Sequence, residues 1–294
     1  MGRQMSKMKL KKLTVFDFCN TIFFVLFCIV TLYPFWYTFL ASVVSYTELL
    51  TTPILIWPSH VSLAVYKTLL TRASIMTGFK VSVSTTLLGT VLTTLASAIT
   101  GYVLSRREVP GRNTMFTFVL IPMIFGGGLI PLYVTLNTYH LINSWWVYIW
   151  PGLMAPYYII IFKTSFSGIP QSLVDSARID GCPEWGILLR IIMPISLPIL
   201  ATIAVFTAVA KWNNYTTPLY FIRDASKFNL QLILRNMINT DRWAQDIVVA
   251  GDQAMVAEQL KYGTVIVATV PILVVYPFLQ RYFVKGVLIG AIKS

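Results

Sequence analysis

Few residues in this chain have the types and spacing that chemistry requires, and the groupings that do occur point to recognition and not to catalysis. Cys19, Cys28 and Cys182 are scattered, as are His60 and His140, without the short intervals that a zinc or redox site needs. Cys19 and Cys28 would point to opposite faces of one helix and cannot pair. Gly126-Gly127-Gly128 lies in an apolar run with no lysine after it, so it is no phosphate-cradling loop, and no nucleophile has a histidine nearby. ATP and its magnesium are therefore not expected on this chain, and neither is any other cofactor.

Two groupings remain. The first is Trp212-Asn213-Asn214, with Trp150 and Tyr157 earlier in the chain. Aromatic faces and amides are the groups that bind sugar rings and their edges. Lys211 stands beside them, either attracting an acidic substrate or reaching outward to headgroups. The second is the polar stretch from Gly168 to Gly186, which carries helix signals throughout. Pro170 sets its start, Ser172 is the expected N-cap with Asp175 at the third helical position, and Leu173, Ala177 and Gly181 recur every four residues on one face. Gly181 is expected where another backbone comes close. A short amphipathic helix here offers a docking surface to a peripheral partner.

The elements that must position these residues are set by the solvent. The chain has 294 residues, 56% hydrophobic and 12% charged. A soluble domain spends roughly a quarter of its residues on charge. Six apolar runs, each about the length a helix needs to cross hydrocarbon, are expected near 16–44, 79–104, 114–137, 145–166, 191–215 and 262–283. The first is too long for a cleaved leader and reads as a retained anchor. The second, rich in Ser, Thr, Gly and Ala, should pack against protein more than lipid. The third is broken at Pro122, Gly126–Gly128 and Pro131, and broken backbone at membrane depth belongs in protein or beside a wet cavity.

The net charge of +12 is spread over the ends of these runs and forms no stripe for nucleic acid. Arg3, Lys7, Lys9, Lys11 and Lys12, then Arg106, Arg107, Arg112, Lys163, Arg178 and Arg190, concentrate on one side, which places both termini in the cytoplasm of a multi-pass protein. Residues 1–14 form an inner tail and 15–294 one transmembrane domain, with an inner loop at about 168–190 and outer loops at about 45–78 and 216–260. Charges fall at span ends, as at Asp17 and Lys211, and not mid-helix, which argues against an ion-coupled secondary transporter.

The inner loop resembles the signature of membrane subunits of bacterial binding-protein-dependent ABC importers: Glu-Ala-Ala, three variable residues, Gly, nine variable residues, then Ile, one variable residue, Leu-Pro. Here the frame reads Asp175-Ser176-Ala177, Gly181, Ile191 and Met193-Pro194, with the spacing intact. Asp175, Ser176 and Met193 depart conservatively. Ile179-Asp180-Gly181, the run Trp212 to Leu219, and the carboxyl end from Pro271 to Ser294 resemble the sugar branch of this family. Leu260-Lys-Tyr-Gly263 and Gly286 to Lys293 look like the wording of permeases for plant- or algal-polysaccharide fragments.

The resemblance implies an all-α fold of the MetI-like, type I kind in a bacterial cell membrane, importing oligosaccharide, with an acidic polysaccharide fragment as one substrate class. It further implies a second homologous permease, two cytoplasmic ATPase subunits that hold ATP and magnesium, and an extracytoplasmic solute-binding protein. Ser172, Leu173, Asp175, Ser176, Ala177, Asp180, Gly181, Cys182 and Glu184 would then couple to the ATPase, the loop around Asn239 to Asp252 would meet the binding protein, and the tail from Lys285 to Ser294 would reach the ATPase interface. Trp150, Tyr157, Trp212, Asn213 and Asn214 would line the substrate pathway. A permease for a peptide or amino acid, or a membrane-embedded enzyme, is the competing reading.

Overall fold

The computed structural model describes residues 14–52, 54–239, 259–274 and Pro277. The basic tail, the loop from 240 to 252 and the carboxyl end lie outside the described residues.

Helix α1 (Val15–Val43) opens with a capping box, in which the Thr14 hydroxyl accepts from the Asp17 amide and the Asp17 carboxylate accepts from the Thr14 amide. Its apolar side chains stay exposed on all sides until Leu40, as suits a helix whose solvent is lipid. Pro34 lies inside it. From Leu40 onward the helix joins the body, with Leu40, Val44 and Leu55 in a small core.

Helix α2 (Ala73–Ser105) is the axis of the fold. It is 33 residues long, enough to cross a bilayer, and buries Ser82, Thr85, Thr86, Thr93, Thr94 and Ser97 on its inner side. This is the protein-facing behaviour expected of its small and hydroxylated residues. The hydroxyls cost little where they fold back on the helix, as Thr85 does in donating to the Val81 carbonyl at 2.7 Å. Small residues also let neighbours approach: a Cβ at Gly101 would fall 2.5 Å from Phe162 Cβ and 3.1 Å from the Ile159 carbonyl oxygen.

The expected third span is two helices, α3 (Arg112–Ile124) and α4 (Leu129–Thr138), separated at Phe125–Gly128, where Gly128 has φ +80°. The expected fourth is also composite. Two 3₁₀ turns, Trp145–Tyr148 and Trp150–Gly152, lead at a 48° bend into α5 (Pro156–Ser167). After α6 (Gln171–Ile179) the chain enters α7 (Glu184–Ile195), turns through 84° at Ser196, and runs on as α8 (Leu197–Trp212). The span expected from 191 is thereby corrected, since residues 191–195 belong to the segment before the elbow. The elbow follows from Pro194 and Pro198, whose missing amides interrupt helical bonding, next to a π-turn at Leu188–Ile192. Helices α9 (Leu230–Asn239) and α10 (Gln259–Val274) complete the described body.

Two cores follow from this arrangement. At one end of α2, Ala98 and Tyr102 pack with Phe162, Phe166, Val174, Ala177, Ile187, Leu188, Ile192 and Ile203. At the other, Val65, Leu69 and Ile75 pack with Trp212, Leu230, Ile233, Leu260 and Ala268.

Candidate functional site

The segment after α5 is a short helix held at both ends by the backbone. Pro170 is the N-cap of α6 and no side chain caps it, so Ser172 is not the cap but an exposed residue of the first turn. A proline whose ring fixes φ near −54° suffices to start the helix. The buried face is Val174 and Ala177: Ala177 faces inward as expected, while Val174 takes the place expected of Leu173, which points outward at 44% exposure. The helix ends in a Schellman arrangement: the Gly181 amide donates to the Arg178 carbonyl at 3.0 Å and the Cys182 amide to the Ala177 carbonyl at 2.9 Å. Gly181 has φ +76°, and among the described residues, its chain neighbours aside, no atom lies within 4 Å of the place a Cβ would occupy. Among these residues the glycine therefore serves backbone handedness and not close approach. Cys182 tucks against Gly186, where a Cβ would meet its Sγ at 2.6 Å.

Ionic contacts brace this segment to the end of α2. Arg178 donates from Nε to Glu184 Oε1 at 2.8 Å, pairs with Glu108, and lies 4.0 Å from Asp175. The Tyr102 hydroxyl donates to the other oxygen of Glu184 at 2.7 Å. Gln171 donates to Asp175 at 3.1 Å and accepts from Arg106 at 3.4 Å. Arg106 itself is buried, its guanidinium 4.6 Å from the centre of the Tyr102 ring, a cation over an aromatic face. The Arg178 hydrogen bond holds Glu108 below the usual carboxylate range. Burial opposes ionisation of Glu184, but the Tyr102 hydroxyl and Arg178 outweigh it and its carboxyl is also held low. Glu108 and then Glu184 hold Arg178 above its ordinary value, so all three groups are charged across physiological pH.

Tyr102, Arg106, Glu108, Gln171 and Arg178 brace this segment, a role that the sequence alone did not give them. Only the three-residue interval of Asp175 and Arg178 on one helix face offered a local signal. Ser172, Asp175, Ser176, Asp180, Gly181 and Glu184 all lie at the surface, and Cys182 is half-buried. Between these polar residues stand Ile179, 87% exposed, and Trp185, 62% exposed. Ile179 on α6 and Trp185 on α7 are thus large apolar side chains left exposed among charged neighbours, on a segment fixed to the body.

The second grouping divides. Trp150 and Tyr157 present their rings at the surface, and Asn213 is exposed. Trp212 is buried instead: its Nε1 donates to the Ala268 carbonyl at 2.9 Å and its ring meets Phe79 edge-on at 6.1 Å between centroids. Its expected place among substrate-facing groups is corrected to a packing role between α8, α2 and α10. Asn214 is half-buried, accepting from the Thr217 amide at 3.0 Å and donating to the Thr217 hydroxyl at 2.7 Å. Lys211 does not reach outward. Its chain crosses α2 at Gly89 and its Nζ donates to the Tyr148 carbonyl at 3.4 Å.

An apolar helical bundle with a broken third span, a bent fourth, and a braced surface helix before an elbow is the architecture of a transport permease. The chain belongs to the family described as binding-protein-dependent transport system inner membrane component, whose model matches residues 12–289. It is 35% identical over 282 residues to the polygalacturonan/rhamnogalacturonan transport system permease protein YtcP of Bacillus subtilis, covering 95% of this chain and 99% of that one. It is 36% identical over 281 residues to protein LplC of the same organism, covering 95% of each. Among solved structures, that of a bacterial ABC transporter involved in the import of the acidic polysaccharide alginate superposes with TM-score 0.82 at 23% identity, over 92% of this chain and 96% of that one, and shows the shared fold.

Proposed function

We propose that this chain is the pore-forming subunit of an ATP-driven importer of oligosaccharides, with acidic polysaccharide fragments as the substrate class. The observation that carries the reading is the braced helix α6. Its outer residues Leu173 and Ile179, with Trp185 at the start of α7, are free to seat in an ATPase cleft, while its inner face and its ionic contacts join it to α2 and, through α7 and the elbow, to α8. A push on Ile179 is thus delivered to two helices of the bundle. The substrate assignment draws its support from the polygalacturonan and rhamnogalacturonan named for YtcP and the alginate named for the superposed transporter.

In this reading a second homologous permease completes the pore, two ATPase subunits bind ATP and magnesium below it, and an extracytoplasmic binding protein delivers the sugar above. The basic residues near α6 support a cytoplasmic position for that end and for both termini. Trp150, Tyr157 and Asn213 are the groups placed to meet sugar, with Asn214 shaping the turn beside them. The work comes from nucleotide closure in the partners, which moves the paired helices together and tips the bundle.

The test is reconstitution of the four-subunit importer in proteoliposomes with its binding protein and labelled galacturonate oligomers. ATP-dependent accumulation that disappears in Ile179→Asp, while the variant still inserts, is the expected result. Accumulation by this chain alone on an ion gradient would overturn the reading.

A further inference from the structure

Among the described residues Lys211 is a cation without an anion. It stands in the last turn of α8, and its chain lies against Gly89 of α2, where an added Cβ would be 2.5 Å from its Cδ and 3.0 Å from its Nζ. The missing side chain of Gly89 is what admits it. The ammonium has one recorded hydrogen bond, to the Tyr148 carbonyl, near the outer limit of such contacts at 3.4 Å. Among the described residues the ion pairs belong to Arg178 and Lys227, and none to Lys211.

The face of α2 beneath it is also polar and underused. Thr86, one turn before Gly89, is 8% exposed and its hydroxyl has no partner, and the buried hydroxyl of Thr90 has none. Thr93, one turn after Gly89, donates to the Gly152 carbonyl at 3.2 Å. A half-buried ammonium held by one carbonyl, next to buried hydroxyls with unmade bonds, is costly to keep unless something else completes it. Its hydrogen bond goes to the turn Tyr148–Gly152, where a Cβ at Gly152 would lie 3.8 Å from the Nζ, and not to a carbonyl of its own helix. That turn carries Trp150, whose ring is exposed.

We propose that Lys211, with the hydroxyls of Thr86 and Thr90, forms a carboxylate-recognition point for uronate-bearing oligosaccharides, beside a Trp150 ring that takes the sugar face. The ammonium leaves its weak carbonyl contact for the substrate carboxylate, and the hydroxyls donate to the same group. This rests on the oligosaccharide reading above and adds to it the residue that distinguishes acidic from neutral rings.

The experiment compares ATP-driven uptake of galacturonate oligomers with uptake of their methyl esters, equal in length but uncharged, by the complete importer. The readout is the acid-to-ester ratio. Lys211→Gln is expected to lower that ratio about tenfold, or roughly 1.4 kcal/mol of discrimination, while Lys211→Arg keeps it within about twofold. Gly89→Ala keeps the charge but fills its berth, and only the flexible lysine has to move, so it should lower the ratio without loss of folded protein. It also decides the matter should Lys211→Gln fail to insert. If the importer carries no ester, acidic uptake lowered by Gly89→Ala and kept by Lys211→Arg supports the same assignment. Equal loss of both substrates, or an unchanged ratio, overturns the role of Lys211 while leaving the oligosaccharide reading intact. Failure of the unaltered importer to take up either oligomer overturns that reading instead.

Discussion

Arg178 and Glu184 stand on opposite sides of the Gly181 turn and meet at 2.8 Å, Nε to Oε1, closing α6 back upon α7. Because Glu184 also accepts from Tyr102, and Arg178 also holds Glu108, this contact joins three stretches of chain at the end of α2. Helix α6 is therefore part of a braced corner and not a tethered loop. Force applied to its outer face has a route that does not depend on the partly exposed backbone between the helices.

Removal of Arg178 should uncouple the corner without unfolding the bundle. Contacts this exposed are each worth about 0.2–1 kcal/mol, too little to hold up a membrane protein. Arg178→Ala breaks those to Glu108, Glu184 and Asp175 together. The expected result is uptake lowered about tenfold, with the importer still assembled and still hydrolysing ATP, measured by parallel transport and phosphate-release assays. Parallel loss of hydrolysis and assembly would show that Arg178 merely maintains the fold.

The same contacts set a pH window. Glu108 and Glu184 are held below the usual carboxylate range, so they stabilise the folded corner fully above the free carboxyl value of about 4.3 and lose that contribution as pH falls through their lowered values. Arg178, raised, stays charged throughout. A spin label at Ile179→Cys, with Cys19, Cys28 and Cys182 replaced, should keep one mobility from pH 8 to 5 and loosen only below about 4. Loosening between pH 7 and 6 would place the control in some other group.

Gly181 separates backbone strain from crowding. A residue unbranched at Cβ costs about 1–2 kcal/mol at φ +76°, and the space around it is open among the described residues. Gly181→Ala and Gly181→Gln should thus lower the thermal midpoint of the isolated permease by similar amounts. In the assembled importer, a partner packed against this turn would make Gln worse than Ala for uptake. Equal uptake by the two would deny that contact.

At Gly101 the crowding is internal. An added Cβ would press on Phe162 Cβ and on backbone atoms of Ile159 and Lys163, none of which is a free side-chain end. Gly101→Ala should destabilise the permease by about 1–3 kcal/mol, seen as a lowered midpoint in detergent. A stability near that of the unaltered protein would mean that α2 and α5 separate more readily than their packing suggests.

The parts of this fold that are legible in the chain are those governed by local pattern. Among the described residues each apolar run falls on a helix or helix pair, although only two helices, or four if each bent pair is one span, are long and apolar enough to cross a membrane. The Ser- and Thr-rich run is the buried axis, and the Ala177 and Gly181 spacing marks a real helix end. What escaped notice depends on distant partners. Nothing near Trp212 signals that Ala268 will take its indole proton, and an aromatic beside two asparagines reads equally well as a sugar platform. Tyr102, Arg106 and Glu108 read as a span end with topology charges, because the helix they brace arrives far later in the chain. The elbow at Ser196 was hidden by hydropathy, which is continuous across Ile195 and Leu197 while the helix axis turns by 84°.

Asn213 and Asn214 give the last and most discriminating prediction. Asn214 spends both ends of its amide on Thr217, fixing the turn into the helix Thr216–Phe221, and its own carbonyl accepts from Asn229 at 2.6 Å. Asn214→Ala should therefore cost about 1 kcal/mol of stability, as loss of a capping side chain does, and weaken uptake through a lower amount of folded importer. Asn213 is exposed, so Asn213→Ala should leave the thermal midpoint unchanged and raise the concentration of oligosaccharide needed for half-maximal uptake by about three- to tenfold, the worth of one hydrogen bond. If Asn213→Ala lowers the midpoint and Asn214→Ala alters only the half-maximal concentration, the two roles are reversed and the turn itself, not the exposed amide, meets the sugar.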